Sequence, residues 1–391
     1  MLKRTRLVPL PALALVVGSL LLAACGSTTS GANASVPQPM PARSGTYAVG
    51  HETVAIVDGS SGRTITADLW YPAIDGASGT MARYSLLPTA YFDSKVAVEG
   101  APMNTAGSFP FVVYSHGSGG QSFVASFLTE DIASHGYVVL SANHSGNTAA
   151  DQLLGTSISQ DQNDFARPNV VKTLIDWALA QSAGTATPAL SPSPYPKLKG
   201  AIDDKRIGLV GHSYGGYTVL ATAGGHTGPA GTITPDPRIK AVVGQAPYTR
   251  RLSDAELAGI KIPVMLMVGT KDVTTPLALD SQRPFDLITG PPVVLAVLTD
   301  AAHQSFTDVC MYLDEIPKLP DAPALVATAI KVQAQEGCGP EFMPYPRDLE
   351  LSSGLTVAFL NEFVAGTPNA AWFAGSTATI SAPDLTISIK R

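Results

Sequence analysis

The stretch IGLVGHSYGGYTVL, Ile207 to Leu220, decides the architecture. Ile207 to Val210 reads as a short buried strand, and Tyr214 to Gly224 carries apolar residues at helical spacing. Almost no chain is left between them for a turn. Gly211 and Gly215 bracket His212, Ser213 and Tyr214, and glycines in those places let a strand bend sharply into a helix and lift the Ser213 hydroxyl above the strand ends. A plain turn could share these letters. Here, however, RIGLV precedes and YTVLATAG follows, which is the strand-then-helix context that a nucleophile elbow requires, and the string occurs once.

Outward from the elbow, the chain alternates between two periods. His51–Val57 and Arg63–Tyr71 read as an early strand pair, and Phe109–Ser115, Tyr137–Ala142, Arg206–Val210, Ile239–Gly244, Val264–Gly269 and Val293–Leu298 as further short apolar strands. Ser122–His135, Pro168–Gln181, Tyr214–Gly224 and Ser353–Val364 read as helices, with Pro168 at a helix start. Strand followed by helix, repeatedly, predicts an α/β protein with a mostly parallel sheet covered on both faces.

A serine hydroxyl is a weak nucleophile without a base, and the base needs a group that fixes its tautomer. In an elbow architecture the acid follows a strand after the nucleophile and the histidine follows the last strand. Asp272 stands just past the Ile262–Gly269 run, and His303 just past Val293–Leu298. Asp300 and Asp308 compete with Asp272, but Asp300 is so close to His303 that shaping its loop suits it better. Of the other histidines, His51, His116, His135, His144 and His226 are expected as surface or loop-packing residues. His212, beside the nucleophile, is expected to support the site rather than act as base.

Acyl transfer also needs backbone donors for an oxyanion. The Tyr214 amide, directly after the nucleophile, is one. The loop His116-Gly117-Ser118-Gly119-Gly120 after the strand Phe111–Ser115 supplies the other, assigned to Ser118. The loop lacks the lysine and serine or threonine that end a phosphate-binding loop, and it is not a dinucleotide fingerprint.

At 391 residues, 45% hydrophobic and 14% charged, the chain can bury a large core. Its formal net charge of −6, with no dense basic block beyond the N-terminus, gives no reason to expect a nucleic-acid partner. Lys3, Arg4 and Arg6 precede an apolar run that closes on Leu22-Ala23-Ala24-Cys25-Gly26. This resembles a bacterial lipoprotein signal, which implies cleavage before Cys25, a lipid on its thiol and an exported, membrane-anchored protein in the cell envelope. Removing residues 1–24, which hold three cations and no acid, would take the charge from −6 to −9. Residues 25–45, the lipidated cysteine and a Ser/Thr/Ala/Pro-rich run, then read as a flexible tether, and 46–391 as a single domain. With Cys25 committed to lipid, Cys310 and Cys338 remain and are expected to form a disulfide. No histidine lies between them, which argues against a metal site there.

From Ser108 to Leu360 the chain resembles the α/β-hydrolase superfamily, in particular its dienelactone-hydrolase-like and platelet-activating-factor-acetylhydrolase-like esterases. The matching pieces are FPFVVYSHGSGG, LTEDIASHGYVVLSANHSGNT, DFARPNVVKTLIDWAL, DDKRIGLVGHSYGGYTVL, IPVMLMVGTKD and DAAHQSFTDVC. The resemblance implies an α/β-hydrolase fold and hydrolysis of carboxylic esters without metal or cofactor. Ser213, Asp272 and His303 match the family's catalytic positions, and Ser118 and Tyr214 its oxyanion donors. Dienelactone hydrolases proper use cysteine as nucleophile, so Ser213 departs from them and favours the acetylhydrolase and lipase-like side.

Substrate choice is left open among lipid-like esters, short acyl esters and an external polyester, as for a cutinase-like enzyme. Residues 306–346 form an insertion holding both remaining cysteines and Met311, Tyr312, Ile316, Leu319, Phe342, Met343 and Tyr345. It reads either as a stapled cap selecting apolar acyl groups or as a surface excursion held by its disulfide. Two other classes stand outside the esterases. A serine peptidase would use the same three residues but usually needs a peptide subsite, and a dead binding lipoprotein would ordinarily have lost one of them.

Overall fold

The parallel strands expected from the apolar runs form the centre of one large sheet. The computed structural model describes residues 44–59, 61–367 and 379–391, so Cys25, the signal segment and the tether up to residue 43 lie outside the described residues. In chain order the strands are β1 (Ala48–Val57), β2 (Thr64–Ala73), β3 (Met81–Leu87), β4 (Ala90–Glu99), β5 (Phe109–Ser115), β6 (Val138–Ala142) and β7 (Ile202–His212). They continue as β8 (His226–Gly228), β9 (Gly231–Ile233), β10 (Ile239–Gln245), β11 (Val264–Gly269), β12 (Val293–Leu298), β13 (Thr379–Ala382) and β14 (Leu385–Lys390). Among the described residues, twelve of these make one sheet in the order β13-β14-β12-β11-β10-β7-β5-β6-β2-β1-β4-β3, and β8 and β9 form a separate hairpin.

The six strands from β12 to β6 run parallel, each paired with its neighbour. Their order reverses between β5 and β7, because the chain crosses from β5 out to β6 and then returns to β7 on the other side. Such a reversal opens a crevice at the carboxyl ends of the two strands. Both quoted glycine-rich segments, after β5 and after β7, emerge there.

Alternation along each strand sends side chains to two apolar layers. Phe111 and Val113 of β5 join Leu209 and Leu266 in one layer, whereas Val112 and Tyr114 join Val210 and Met267 in the other. The first four helices in chain order are α1 (Ser126–Ser134), α2 (Ala149–Leu154), α3 (Gln160–Ala183) and α4 (Tyr214–Gly224), and α3 and α4 close the first layer through Val171, Leu174, Trp177 and Leu220. The second is closed by the helix over Ser126–Ser134 and by that over Tyr345–Leu360, through Leu128, Ile132, Leu355 and Phe359.

Several boundaries differ from the sequence expectation for identifiable reasons. Pro168 does not begin α3 but lies inside it. The start signal is Ser159, whose side chain accepts from the Gln162 amide while the Gln162 side chain bonds back to the Ser159 amide. Proline at 168 removes the donor that the Asp164 carbonyl would have used, and the buried Tyr217 hydroxyl of α4 donates to that carbonyl instead, at 2.9 Å. The last helix starts at Tyr345 rather than Ser353, and the first at Ser126 rather than Ser122.

The C-terminal strand β14 pairs antiparallel with β12 over Val293–Leu298 and covers an otherwise open edge of the parallel sheet. Its alternating buried residues, Leu385, Ile387 and Ile389, join the second apolar layer. Replacing the fully buried Ile387 by Ala should therefore cost about 2–5 kcal/mol, read as a lowered midpoint in urea denaturation with an unchanged slope.

Candidate active site

The elbow is held open by close packing that only glycine permits. An ideal Cβ on Gly215 would lie 1.8 Å from the Ser115 carbonyl oxygen, and one on Gly211 would lie 2.3 Å from that of Gly215. The end of β5 and the start of α4 thus touch backbone to backbone. Ser213 sits between them at φ 55°, ψ −118°, a conformation that costs an L-residue of order 1–3 kcal/mol and persists only where the surroundings enforce it. Its amide donates to the Gln245 carbonyl of β10 at 2.9 Å, and its carbonyl accepts from the Tyr248 amide at 2.8 Å.

Three expected residues meet at this point. His303 Nε2 is 2.8 Å from Ser213 Oγ, and His303 Nδ1 is 3.0 Å from Asp272 Oδ2. Asp272 and His303 are buried, and Ser213 is partly exposed. Asp272 follows β11 and His303 follows β12, so adjacent parallel strands deliver acid and base to the same sheet edge. Burial would raise the Asp272 carboxyl, but the His303 hydrogen bond and charge, together with bonds from Thr275, outweigh it and hold the carboxyl below its usual range.

Thr275 was not legible as a site residue. Its amide donates to Asp272 Oδ1 at 2.7 Å, and its hydroxyl lies 2.8 Å from Asp272 Oδ2, 3.0 Å from the Ala246 carbonyl and 3.1 Å from His303 Nδ1. The only sequence signal was its place in the post-strand loop, three residues after the acid. The rival carboxylates are engaged elsewhere. Asp300, at φ 63°, turns the His303 loop and pairs with Lys271 at 3.0 Å, while Asp308 accepts from the amide and hydroxyl of Ser126.

The loop after β5 lies against the nucleophile at Gly117, where a Cβ would come within 3.1 Å of Ser213 Cβ. Ser118 is exposed beside it, its hydroxyl accepting from Asn147 at 3.1 Å. The Gly119 and Gly120 amides are already bonded, to the Asn147 and Gly117 carbonyls. Across the crevice, Tyr214 is the first residue of α4, a place where an amide has no partner inside its own helix. Its ring is turned away, its hydroxyl donating to Asp164 Oδ1 at 2.5 Å.

The loop is braced from beneath by buried polar groups, among them two of the histidines expected as surface or loop-packing residues. His116 and His144 are buried with rings 4.9 Å apart. His116 Nδ1 donates to the Gly117 carbonyl at 2.6 Å and its Nε2 accepts from the His144 amide at 3.1 Å, which fixes the neutral tautomer. Burial first, and then the neighbouring Arg167 charge, pushes the His116 imidazole down to about 3. Arg167, buried on α3, donates to Asn147 Oδ1 at 2.5 Å, to Ser115 Oγ at 3.2 Å and to the His116 carbonyl. His51 and His226 are likewise buried rather than superficial, His51 between Asp68 and Glu99.

In the insertion 306–346, Phe306, Tyr312, Ile316 and Met343 are buried in the second apolar layer, and Phe342 is only partly buried, beneath the Lys271 ammonium. Cys310 and Cys338 are disulfide-bonded, as expected. The segment around Cys338 grips both catalytic-side loops. The Glu336 carbonyl accepts from the Gln304 amide at 2.8 Å, its carboxylate accepts from Thr274 at 2.5 Å, and the Met343 amide donates to the Asp300 carbonyl at 2.9 Å.

Comparison with known proteins finds relatives named as acetylhydrolases and esterases. Residues 81–173 match the family described as platelet-activating factor acetylhydrolase, isoform II. The chain has the α/β-hydrolase fold. It is 22% identical over 253 residues to a platelet-activating factor acetylhydrolase of Cavia porcellus, covering 53% of this chain and 55% of that protein. A probable 1-alkyl-2-acetylglycerophosphocholine esterase of Arthroderma benhamiae is 29% identical over 114 residues, 29% of this chain and 27% of its own length. The acetylhydrolase of Bos taurus is 27% identical over 148 residues, 31% of this chain and 33% of its own. The chain thus spans about half the length of the curated relatives it matches, or less. On this α/β-hydrolase fold the matched family segment runs from β3 into α3, which includes the loop at Gly117 but ends before Ser213.

Two expectations follow from the packing around the His303 loop. Opening the disulfide by Cys310→Ser with Cys338→Ser should lower stability by about 2–4 kcal/mol, measured as a shift in the guanidinium midpoint. Asp348, fully buried near Ser305, has its carboxyl pushed up to about 8 by burial, with the Ser305 hydroxyl pulling the other way. The folded state therefore holds a proton that the unfolded chain has released, and stability falls as pH rises from about 4 through about 8. Asp348→Asn removes that fall, so the variant should gain on the wild type by at least about 1 kcal/mol between pH 5 and 8 in urea titrations.

Proposed function

We propose that the chain is an exported, lipid-anchored serine esterase that cleaves carboxylic esters through an acyl-enzyme. The observation that carries this reading is the hydrogen-bonded line from Ser213 Oγ through His303 to Asp272, at 2.8 Å and 3.0 Å, in the crevice where strand order reverses. Ser213 Oγ attacks the ester carbonyl while His303 Nε2 takes its proton. Asp272, kept ionised below its usual range, holds the His303 tautomer and stabilises the imidazolium. The amides of Ser118 and Tyr214 receive the oxyanion of the tetrahedral intermediate. His303 then protonates the leaving alkoxide, and a water activated by the same histidine releases the acid. No metal or cofactor has a step in this sequence.

The substrate class is drawn from the relatives, whose names specify acetyl esters of ether phospholipids. Short-to-medium acyl or lipid-like esters are accordingly assigned to this chain. Attachment through Cys25 would present the domain at a membrane surface, where such esters occur.

Hydrolysis of 4-nitrophenyl esters from acetate to palmitate measures this reading. The expected result is activity that falls by about 10⁴-fold or more in Ser213→Ala, with the highest kcat/KM on the shorter chains. Activity untouched by the substitution would exclude Ser213 as nucleophile. A maximum at palmitate would move the substrate assignment to lipase-type esters.

A further inference from the structure

Resting on the serine-esterase reading above, we infer that His212 is a positioning residue for the base: its ring ties down the backbone of His303 and thereby sets where the imidazole stands relative to Ser213. His212 ends β7, one residue before the nucleophile. Successive residues at a strand end project to opposite sides. While Ser213 reaches the crevice, the His212 side chain is buried beneath it and meets the loop that carries His303.

The contact is specific. His212 Nε2 lies 2.8 Å from the His303 backbone oxygen, and because a carbonyl can only accept, Nε2 carries the hydrogen. The two imidazole rings are 4.9 Å apart, and the Phe306 ring, 6.4 Å away, packs in the same place. The other nitrogen, Nδ1, faces the loop after β5, 3.2 Å from where a Gly117 Cβ would stand. One neutral ring thus touches both the base's loop and the loop beside the nucleophile. Burial, and next the neighbouring His303, push its own proton affinity down to about 3, so it adds no charge to oppose the imidazolium that His303 becomes.

The His303 loop needs such a tie. It turns at Asp300 with φ 63° and is fixed from other sides by the Lys271 amide on the Ala301 carbonyl, the Met343 amide on the Asp300 carbonyl and the Gln304 amide on the Glu336 carbonyl, and within itself by the Ala302 amide on Ser305 Oγ at 3.0 Å. Those bonds tie the loop to the loop of Asp272 and to the segment around Cys338. Beside the bond from His303 Nε2 to Ser213 Oγ, the His212 bond joins the His303 backbone to the elbow, so nucleophile and base are referred to adjacent residues of one strand end.

The test compares the full chain with His212→Leu, which removes the donor, and His212→Gln, whose terminal amide restores an N–H near the Nε2 position. Two probes are used: kcat and KM on 4-nitrophenyl acetate, and the rate of Ser213 labelling by a fluorophosphonate. Displacing the base lowers kcat and the labelling rate together in the leucine variant, by about 10- to 100-fold, with KM unchanged, and glutamine recovers most of the loss. Equal deficits in the two variants, a loss confined to KM, or unchanged labelling would overturn the assignment. Circular dichroism and melting separate a folding defect: if both variants melt alike yet only glutamine is active, the role is positional, and if activity merely tracks melting, it is not. A wild type inert to both probes would instead defeat the esterase reading, and this inference with it.

Discussion

The close approach of the Gly215 backbone to the Ser115 carbonyl is the constraint on which the site depends. It brings the end of β5 and the start of α4 together at the point where strand order reverses, and it leaves no room for a side chain. The unusual torsions of Ser213 follow from that crowding rather than from any property of serine. The energy of the strained turn is offset by the parallel strands on either side, whose apolar residues are buried on both faces. Nucleophile, acid and base then arrive from the ends of three parallel strands, β7, β11 and β12, with little freedom left to any of them.

Around this line the polar residues act through others. Thr275 holds the acid, Arg167 and His116 hold the loop at Gly117, and the segment around Cys338 holds the loops of Asp272 and His303 together. Buried histidines recur in these supports, each with a backbone carbonyl or amide as partner. A neutral imidazole is suited to this, since it can donate from one nitrogen and accept at the other while bringing no charge into a low-dielectric layer.

Much of the architecture was legible because it was locally encoded. Phe109–Ser115, Val264–Gly269 and Val293–Leu298 have the boundaries that their unbroken apolar runs predict, since strands buried on both faces tolerate no polar interruption. The residues brought together as Ser213, Asp272 and His303 could be picked out because each follows such a run. What escaped notice depends on distant partners. The hairpin of β3 and β4 carries exposed polar residues on one side, and β14 is recognisable only once β12 offers it an edge. The supporting places of His116, His144 and Arg167 show only once their partners in the loop are known, and nothing local shows that the second apolar layer takes in Phe306, Tyr312 and Met343 of the insertion.

The bond from the Tyr217 hydroxyl to the Asp164 carbonyl has a consequence for how this sequence can drift. Pro168 creates the need for a donor and Tyr217 meets it, although the two lie on different helices. Loss of the hydroxyl first would strand a buried carbonyl, whereas loss of the proline first would let the helix supply its own donor and make the hydroxyl dispensable. The order of substitution, and not only its outcome, is thereby constrained. A pair of positions that share no side-chain chemistry is expected to change in a preferred sequence, proline before tyrosine.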